Sequence, residues 1–236
     1  MRDDTQAFSR TAGSGDARAQ RVPPAREAWA LFYAVVACTL VQFPPIPASI
    51  QGDDRVFCWF GLNFLALFVG PVLIIRYVWR RPLSAYGLQW GRRGVWMPYF
   101  LIFLGIMVPV VLLISRTADF HTYYPRLMMS RVSFGGFLLG ALGWLVYFLA
   151  WEFFFRGFLL FTLAPRYGGA IAILIQTIPF VMMHYTKLPA EAWSAILCGI
   201  ALGIMSFRGR SCIGPWLLHW SVATLMDLIV VVWPLR

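Results

Sequence analysis

The chain has 236 residues, of which 60% are hydrophobic and only 13% charged. An ordinary soluble domain is roughly 45–50% apolar, so this composition excludes a water-soluble fold and predicts an integral membrane protein. The formal net charge of +10 is spread over tails and connections without a stripe of interleaved aromatics, which excludes nucleic acid as a partner and leaves the lipid bilayer.

Residues 1–27 are polar, rich in Gly, Ser, Arg and Pro, and contain no apolar h-region, so they read as a disordered cytosolic tail and not as a cleavable signal peptide. About 20 apolar residues cross a bilayer as a helix. Seven such segments follow in 28–236, at about 28–49, 56–78, 95–114, 134–162, 169–186, 190–207 and 213–234. Helices satisfy their own backbone in lipid, and no ten-residue alternation points to a barrel, so the fold class is all-α, a polytopic membrane helix bundle.

Charge sets the expected orientation. Thirteen Lys and Arg residues fall on the side of the N-terminus and six on the other, which by the positive-inside rule places the N-terminus in the cytosol, most simply at a plasma (inner) membrane. The third connection, RTADFHTYYPRLMMSR, is mixed in charge and is expected along the interface, with His121 exposed. Gly136 with Gly140, and Gly199 with Gly203, have the GxxxG spacing that lets helix backbones approach closely. Cys38, Cys58, Cys198 and Cys212 lack the CxxC spacing of a zinc or redox site and read as small core residues.

Of ten acidic residues, only Glu152 and Asp227 fall inside apolar segments. Glu152 and Arg156 are four apart on one helix and can pair, which lowers the cost of burying both. His184 and His219 lie on the fifth and seventh segments. Glutamate and histidine activate water, directly or through a bound metal. Glu152, His184 and His219 are therefore the candidate catalytic set and the candidate zinc ligands, and a site with zinc and one with no cofactor both stay open. Glu152 is expected about 10 Å below the cytosolic face, with His219 entering from that face. His184 lies far along an outward helix and needs a kink, as at Pro179, to join them. Asp227, about 12 Å beyond His219 along its helix, reads as a capped or solvated polar residue near the outer end.

These residues resemble the CPBP family of intramembrane proteases, which includes the type II CAAX prenyl endopeptidases and bacteriocin-processing or self-immunity proteins. Trp151-Glu152-Phe153-Phe154-Phe155-Arg156-Gly157 is similar to its EExxxR motif, Phe180 to His184 matches FxxxH, and His219 with Ala223 stands where the family has His and Asn four apart. Residues 80–94 and 198–220 resemble the segments around its catalytic half. The resemblance implies an endopeptidase that hydrolyses a peptide bond of a membrane-associated protein or peptide. Carried over residue by residue, it implies that His184 helps to activate water, that His219 holds the oxyanion, and that Glu152 with Arg156 is a supporting pair. With the leading glutamate missing, Glu152 is expected to stand in for it and to activate water with His184, with Arg156, Trp151, Phe180 and Asp227 as supporting positions.

Two positions depart from the pattern: the leading glutamate is Trp151, and the asparagine is Ala223. Replacing the first by Glu152 requires the helix to rotate or unwind, because adjacent helical residues point about 100° apart. The alternative is a catalytically degenerate member acting as a membrane binding, scaffold or immunity protein. A small transporter is disfavoured, since no interrupted repeat pair is visible.

Overall fold

The computed structural model describes residues 25–233, and the polar tail expected over 1–27 lies outside them up to residue 24. The described residues form helices and no strand. In order they are α1 (Ala25–Gln42), α2 (Gly52–Phe64), α3 (Arg93–Ile114), α4 (Ala118–Tyr123), α5 (Met129–Val132), α6 (Phe134–Glu152), α7 (Leu160–Met182), α8 (Pro189–Gly209) and α9 (Ile213–Val232). Five continuous helical stretches are long and apolar enough to cross a bilayer: Gly52–Val78, Arg93–Ile114, Phe134–Met182, Pro189–Gly209 and Ile213–Val232. The expected count of seven depends on adding α1, which carries Arg26 and Glu27 in its first turn, and on dividing the 49-residue stretch in two.

That division has a geometric basis. Gly168 is non-helical, with φ 78° and ψ 160°, a conformation open to glycine. The Trp151 ring meets His184 at 5.7 Å and the Phe155 ring meets Phe180 at 5.4 Å, pairs whose midpoint in sequence falls at the Tyr167–Gly168 junction. The chain therefore reverses there, and the stretch is an antiparallel hairpin with its two arms packed together. The returning arm, Gly169–Met182, is about 20 Å long, shorter than the roughly 30 Å of bilayer hydrocarbon. Its end, with His184 just beyond, consequently stops inside the bundle.

Three segments are wound more loosely, as π-type turns: Leu65–Val69 and Ile74–Val78 at the end of α2, and Phe153–Leu159 between α6 and α7. Loose winding releases backbone carbonyls from the i→i−4 ladder, and buried carbonyls need donors. Tyr33 Oη donates to the Ala66 carbonyl at 2.6 Å, and Ser206 Oγ donates to the Arg156 carbonyl at 2.9 Å. Every residue of Phe153–Leu159 is buried.

Both GxxxG seams are contact lines. A Cβ at Gly199 would stand 2.6 Å from Thr177 Cγ2 and one at Gly203 would stand 2.9 Å from Ile173 Cγ2, so α8 and α7 touch backbone to side chain. Gly136 and Gly140 are similarly closed by Met129 and Ser130 of α5. The third connection therefore does not simply lie along the interface. Asp53, at the start of α2, accepts from the Met128 and Met129 amides at 2.7 and 2.8 Å, and His121 is half-buried with its Nε2 2.8 Å from the Ser115 carbonyl. Folding back satisfies backbone groups that a surface strand would leave to water.

At the arginine-rich end, the 80–94 segment is stitched to the turn before α9. Arg92 N donates to Gly209 O at 2.7 Å, and Cys212 N donates to Gly87 O at 2.9 Å. The carbonyl of Tyr86 lies 2.7 Å from where a Cβ on Gly157 would be, so a side chain there would push this turn away. Trp96 wedges α3 against Gly209 and Gly214, while Leu101, Ile102, Ile106 and Leu113 of the same helix stay exposed for lipid.

Candidate functional site

Glu152 is the last residue of α6, and the loosely wound segment starts immediately after it. Its carboxylate is fully buried. One oxygen, Oε1, lies 2.7 Å from His219 Nδ1 and 3.3 Å from Arg156 Nη1. Arg156 is also fully buried, and its guanidinium carbon sits 3.9 Å from the centre of the Phe180 ring. The isolated Glu152–Arg156 pair expected from i,i+4 spacing is thus a three-member cluster with a histidine from α9.

Opposite charges in a low-dielectric interior repay part of each other's desolvation, and hydrogen bonds to the remaining atoms repay more. Here the repayment is incomplete: Glu152 Oε2 and Arg156 Nε and Nη2 are buried without a hydrogen-bonding partner. These atoms are polar capacity held in reserve at the site.

His219 packs flat on Phe148 at 3.9 Å, with a side chain 16% exposed. His184 is buried, with Nδ1 2.8 Å from the Phe180 carbonyl and the ring 4.5 Å from the Phe180 ring. A carbonyl oxygen only accepts, so His184 Nδ1 carries the proton and donates, leaving the Nε2 lone pair free. A carboxylate likewise accepts from His219 Nδ1, leaving its Nε2 free. Both imidazoles therefore present an unprotonated Nε2, and Phe180 touches both rings, reaching His219 at 6.3 Å. His184 lies past the last residue of α7.

The expected pairing of Glu152 with His184 is not the one the structure makes. Trp151 stands between α6 and His184, its ring edge-on to the imidazole at 5.7 Å. Its indole N–H donates to Asn63 Oδ1 at 3.1 Å, and Asn63 Nδ2 donates to the Trp59 carbonyl at 2.8 Å. Asn63 escaped the sequence reading, although a lone amide in the apolar run GLNFL is the kind of intramembrane polar residue that calls for a partner. Lys187 Nζ lies 5.7 Å from the Trp151 ring and 3.8 Å from Glu191 Oε2, and Glu191 Oε1 accepts from Tyr124 at 2.5 Å.

Asp227 is also relocated. It is buried rather than solvated, and its Oδ2 accepts from Trp144 Nε1 at 2.8 Å. It therefore takes no part in the Glu152 cluster. Ala223 is buried and brings no donor to His219. Among the described residues no three His, Cys, Asp or Glu side chains gather into a set able to hold a metal ion. Glu152, His184 and His219 do not fit zinc as arranged, the Glu152 carboxylate oxygen being engaged by His219 and Arg156.

Residues 133–225 match a family model described as type II CAAX prenyl endopeptidase Rce1-like. That interval begins at the cap of α6 and ends inside α9, so it contains Glu152, Arg156, Phe180, His184 and His219. No curated protein and no solved structure matches the chain.

Proposed function

We propose, on the support of the match between residues 133–225 and the type II CAAX prenyl endopeptidase Rce1-like family model, that the protein is an intramembrane endopeptidase. Its substrate is a membrane-associated protein or peptide, and it works at a plasma (inner) membrane with its N-terminus in the cytosol. The observation that supports this reading is the 2.7 Å contact between Glu152 and His219, with Arg156 on the same carboxylate oxygen.

The chemistry follows from the free Nε2 of His219, on the partly exposed ring of the cluster. A water donating one hydrogen to that nitrogen is held with its lone pairs directed outward. His219 Nε2 takes one proton as the water oxygen bonds to the scissile carbonyl carbon and the carbonyl electron pair moves onto oxygen. Glu152 offsets the positive charge that develops on His219, as a buried carboxylate does for a catalytic histidine. Arg156, with buried donors to spare, supplies a fixed positive charge for the oxyanion. The tetrahedral species then collapses, the C–N bond breaks, and His219 returns its proton to the leaving amine.

A second reading is favoured by Trp151, whose buried ring occupies the position of the family's leading glutamate. In that reading the domain binds a membrane peptide or partner without cutting it.

Liposome-reconstituted protein separates the two. Cleavage of a membrane-peptide library by the wild type, lost in Glu152→Gln and in His219→Ala, supports the peptidase. A silent wild type that still binds peptide supports the binding protein and rejects catalysis.

A further inference from the structure

Among the described residues, three indole N–H groups donate across the interface between α6 and α9, and two of them bracket His219. Trp216 Nε1 donates to the Leu145 carbonyl at 2.8 Å, and Trp220 Nε1 donates to the Ala141 carbonyl at 2.8 Å. Four residues forward along α9 answer to four residues back along α6, so the helices run antiparallel and both bonds belong to one register. The third indole obeys the same relation. From the Glu152–His219 contact to the bond between Trp144 Nε1 and Asp227 Oδ2 is eight residues forward on α9 and eight back on α6.

A carbonyl oxygen has two lone pairs, so Leu145 and Ala141 can accept an indole as well as an amide of their own helix. An indole N–H without an acceptor between two apolar helices would bear its full desolvation cost, so each bond resists breaking. Both rings are half-buried and pack against the core that contains Tyr147, Phe148 and Trp151. His219 lies three residues after Trp216 and one before Trp220, and it stacks on Phe148, three residues after Leu145. Sliding α9 by one turn, about 5.4 Å, would break both indole bonds and carry the imidazole away from Glu152.

We propose that Trp216 and Trp220 are positioning residues for His219. A single bond would leave α9 free to pivot on α6. Two bonds spaced about 6 Å along the helix axis remove that freedom. They hold His219 Nδ1 at the Glu152 carboxylate and so fix the direction in which Nε2 points, towards the reacting water. Neither indole touches the reacting atoms, and both act through the imidazole they bracket. The catalytic consequence rests on the peptidase reading, whereas the hold on the His219–Glu152 bond is measured without cleavage.

The test uses the full chain in detergent micelles with nitrogen-15 in the histidine rings, and follows solvent exchange of the His219 Nδ1 proton by NMR. Its signal is identified by its loss in His219→Ala. Trp216→Phe and Trp220→Phe keep an aromatic ring and remove the donor. Each is expected to speed that exchange about fivefold and, in the liposome assay, to lower kcat about fivefold with KM unchanged, the factor that one hydrogen bond is worth. Trp59→Phe removes an indole bond of the same kind, to the Val41 carbonyl at 3.1 Å, and is expected to lower thermal stability while leaving both readings at the wild-type value. Unchanged exchange in the folded variants, or acceleration by Trp59→Phe as large as theirs, overturns the proposal. So does a cleavage loss carried by KM. If one of the two variants does not fold, the other decides. A wild type that cleaves nothing rejects the peptidase reading, and the exchange rates then decide by themselves whether the two indoles hold His219.

Discussion

Glu152 and Asp227 are both buried carboxylates in apolar helices. Glu152 shares one oxygen between an imidazole and a guanidinium, whereas Asp227 takes a single indole N–H. An ionised carboxylate in low dielectric requires a counter-charge, or it takes up a proton. Glu152 has a counter-charge in Arg156 and a titratable neighbour through which a proton can move. Asp227 has only a neutral donor, which orients its helix against α6 and offers no chemistry. Burial of a carboxylate is therefore no sign of a site, and the decisive difference is the partner on the adjacent helix.

Substitutions at the two positions sharpen this contrast. The largest effect is expected for Glu152→Gln, which should lower peptide cleavage by about 10²- to 10⁴-fold, while Asp227→Asn leaves the rate unchanged in the same liposome assay. A fall of similar size in both would erase the distinction.

Stability ranks the next changes. Arg156→Met leaves Glu152 without its fixed counter-charge and should cost about 3–5 kcal/mol, read from reversible denaturation in micelles. Trp144→Phe removes the donor to Asp227 and should cost about 1.5–3 kcal/mol. The double change Trp144→Phe with Asp227→Leu recovers most of that loss, because an apolar pair of similar shape has no polar group to satisfy. No such recovery is expected when Glu152 and Arg156 are replaced together, since His219 then loses its acceptor. The smallest effect is Asn63→Leu, about 1 kcal/mol from the lost bond to the Trp151 indole.

The sequence makes the bundle legible because lipid imposes a strong rule, that long apolar segments become helices. The glycine seams are legible for a related reason: GxxxG spacing has a direct steric meaning, and Gly199 and Gly203 indeed face Thr177 and Ile173. The motif residues Glu152, Arg156, Phe180, His184 and His219 all enter one neighbourhood.

Their pairing was not legible. Which histidine meets Glu152 depends on the loose winding of Phe153–Leu159 and on where Trp151 is anchored, and no local propensity encodes either. Helical spacing also misplaced Asp227 at a solvated end, because its partner Trp144 lies 83 residues away on a different helix. The third connection reads as a polar surface loop by composition alone. Its packing onto Gly136 and Gly140 depends on the Asp53 carboxylate that receives its amides.

The reversal at Gly168 has a consequence for how this chain can change length. The two arms are joined by a one-residue hinge, and the motifs ending at Arg156 and beginning at Phe180 sit at matching heights on them. Adding a single residue between hinge and motif turns everything beyond it by about 100° and shifts it about 1.5 Å. Phe155 would lose Phe180, and Glu152 would swing out of reach of His219. The interval between the two motifs thus acts as a fixed caliper, intolerant of insertions and deletions, whereas the irregular 43–51 connection between α1 and α2 has slack to absorb them.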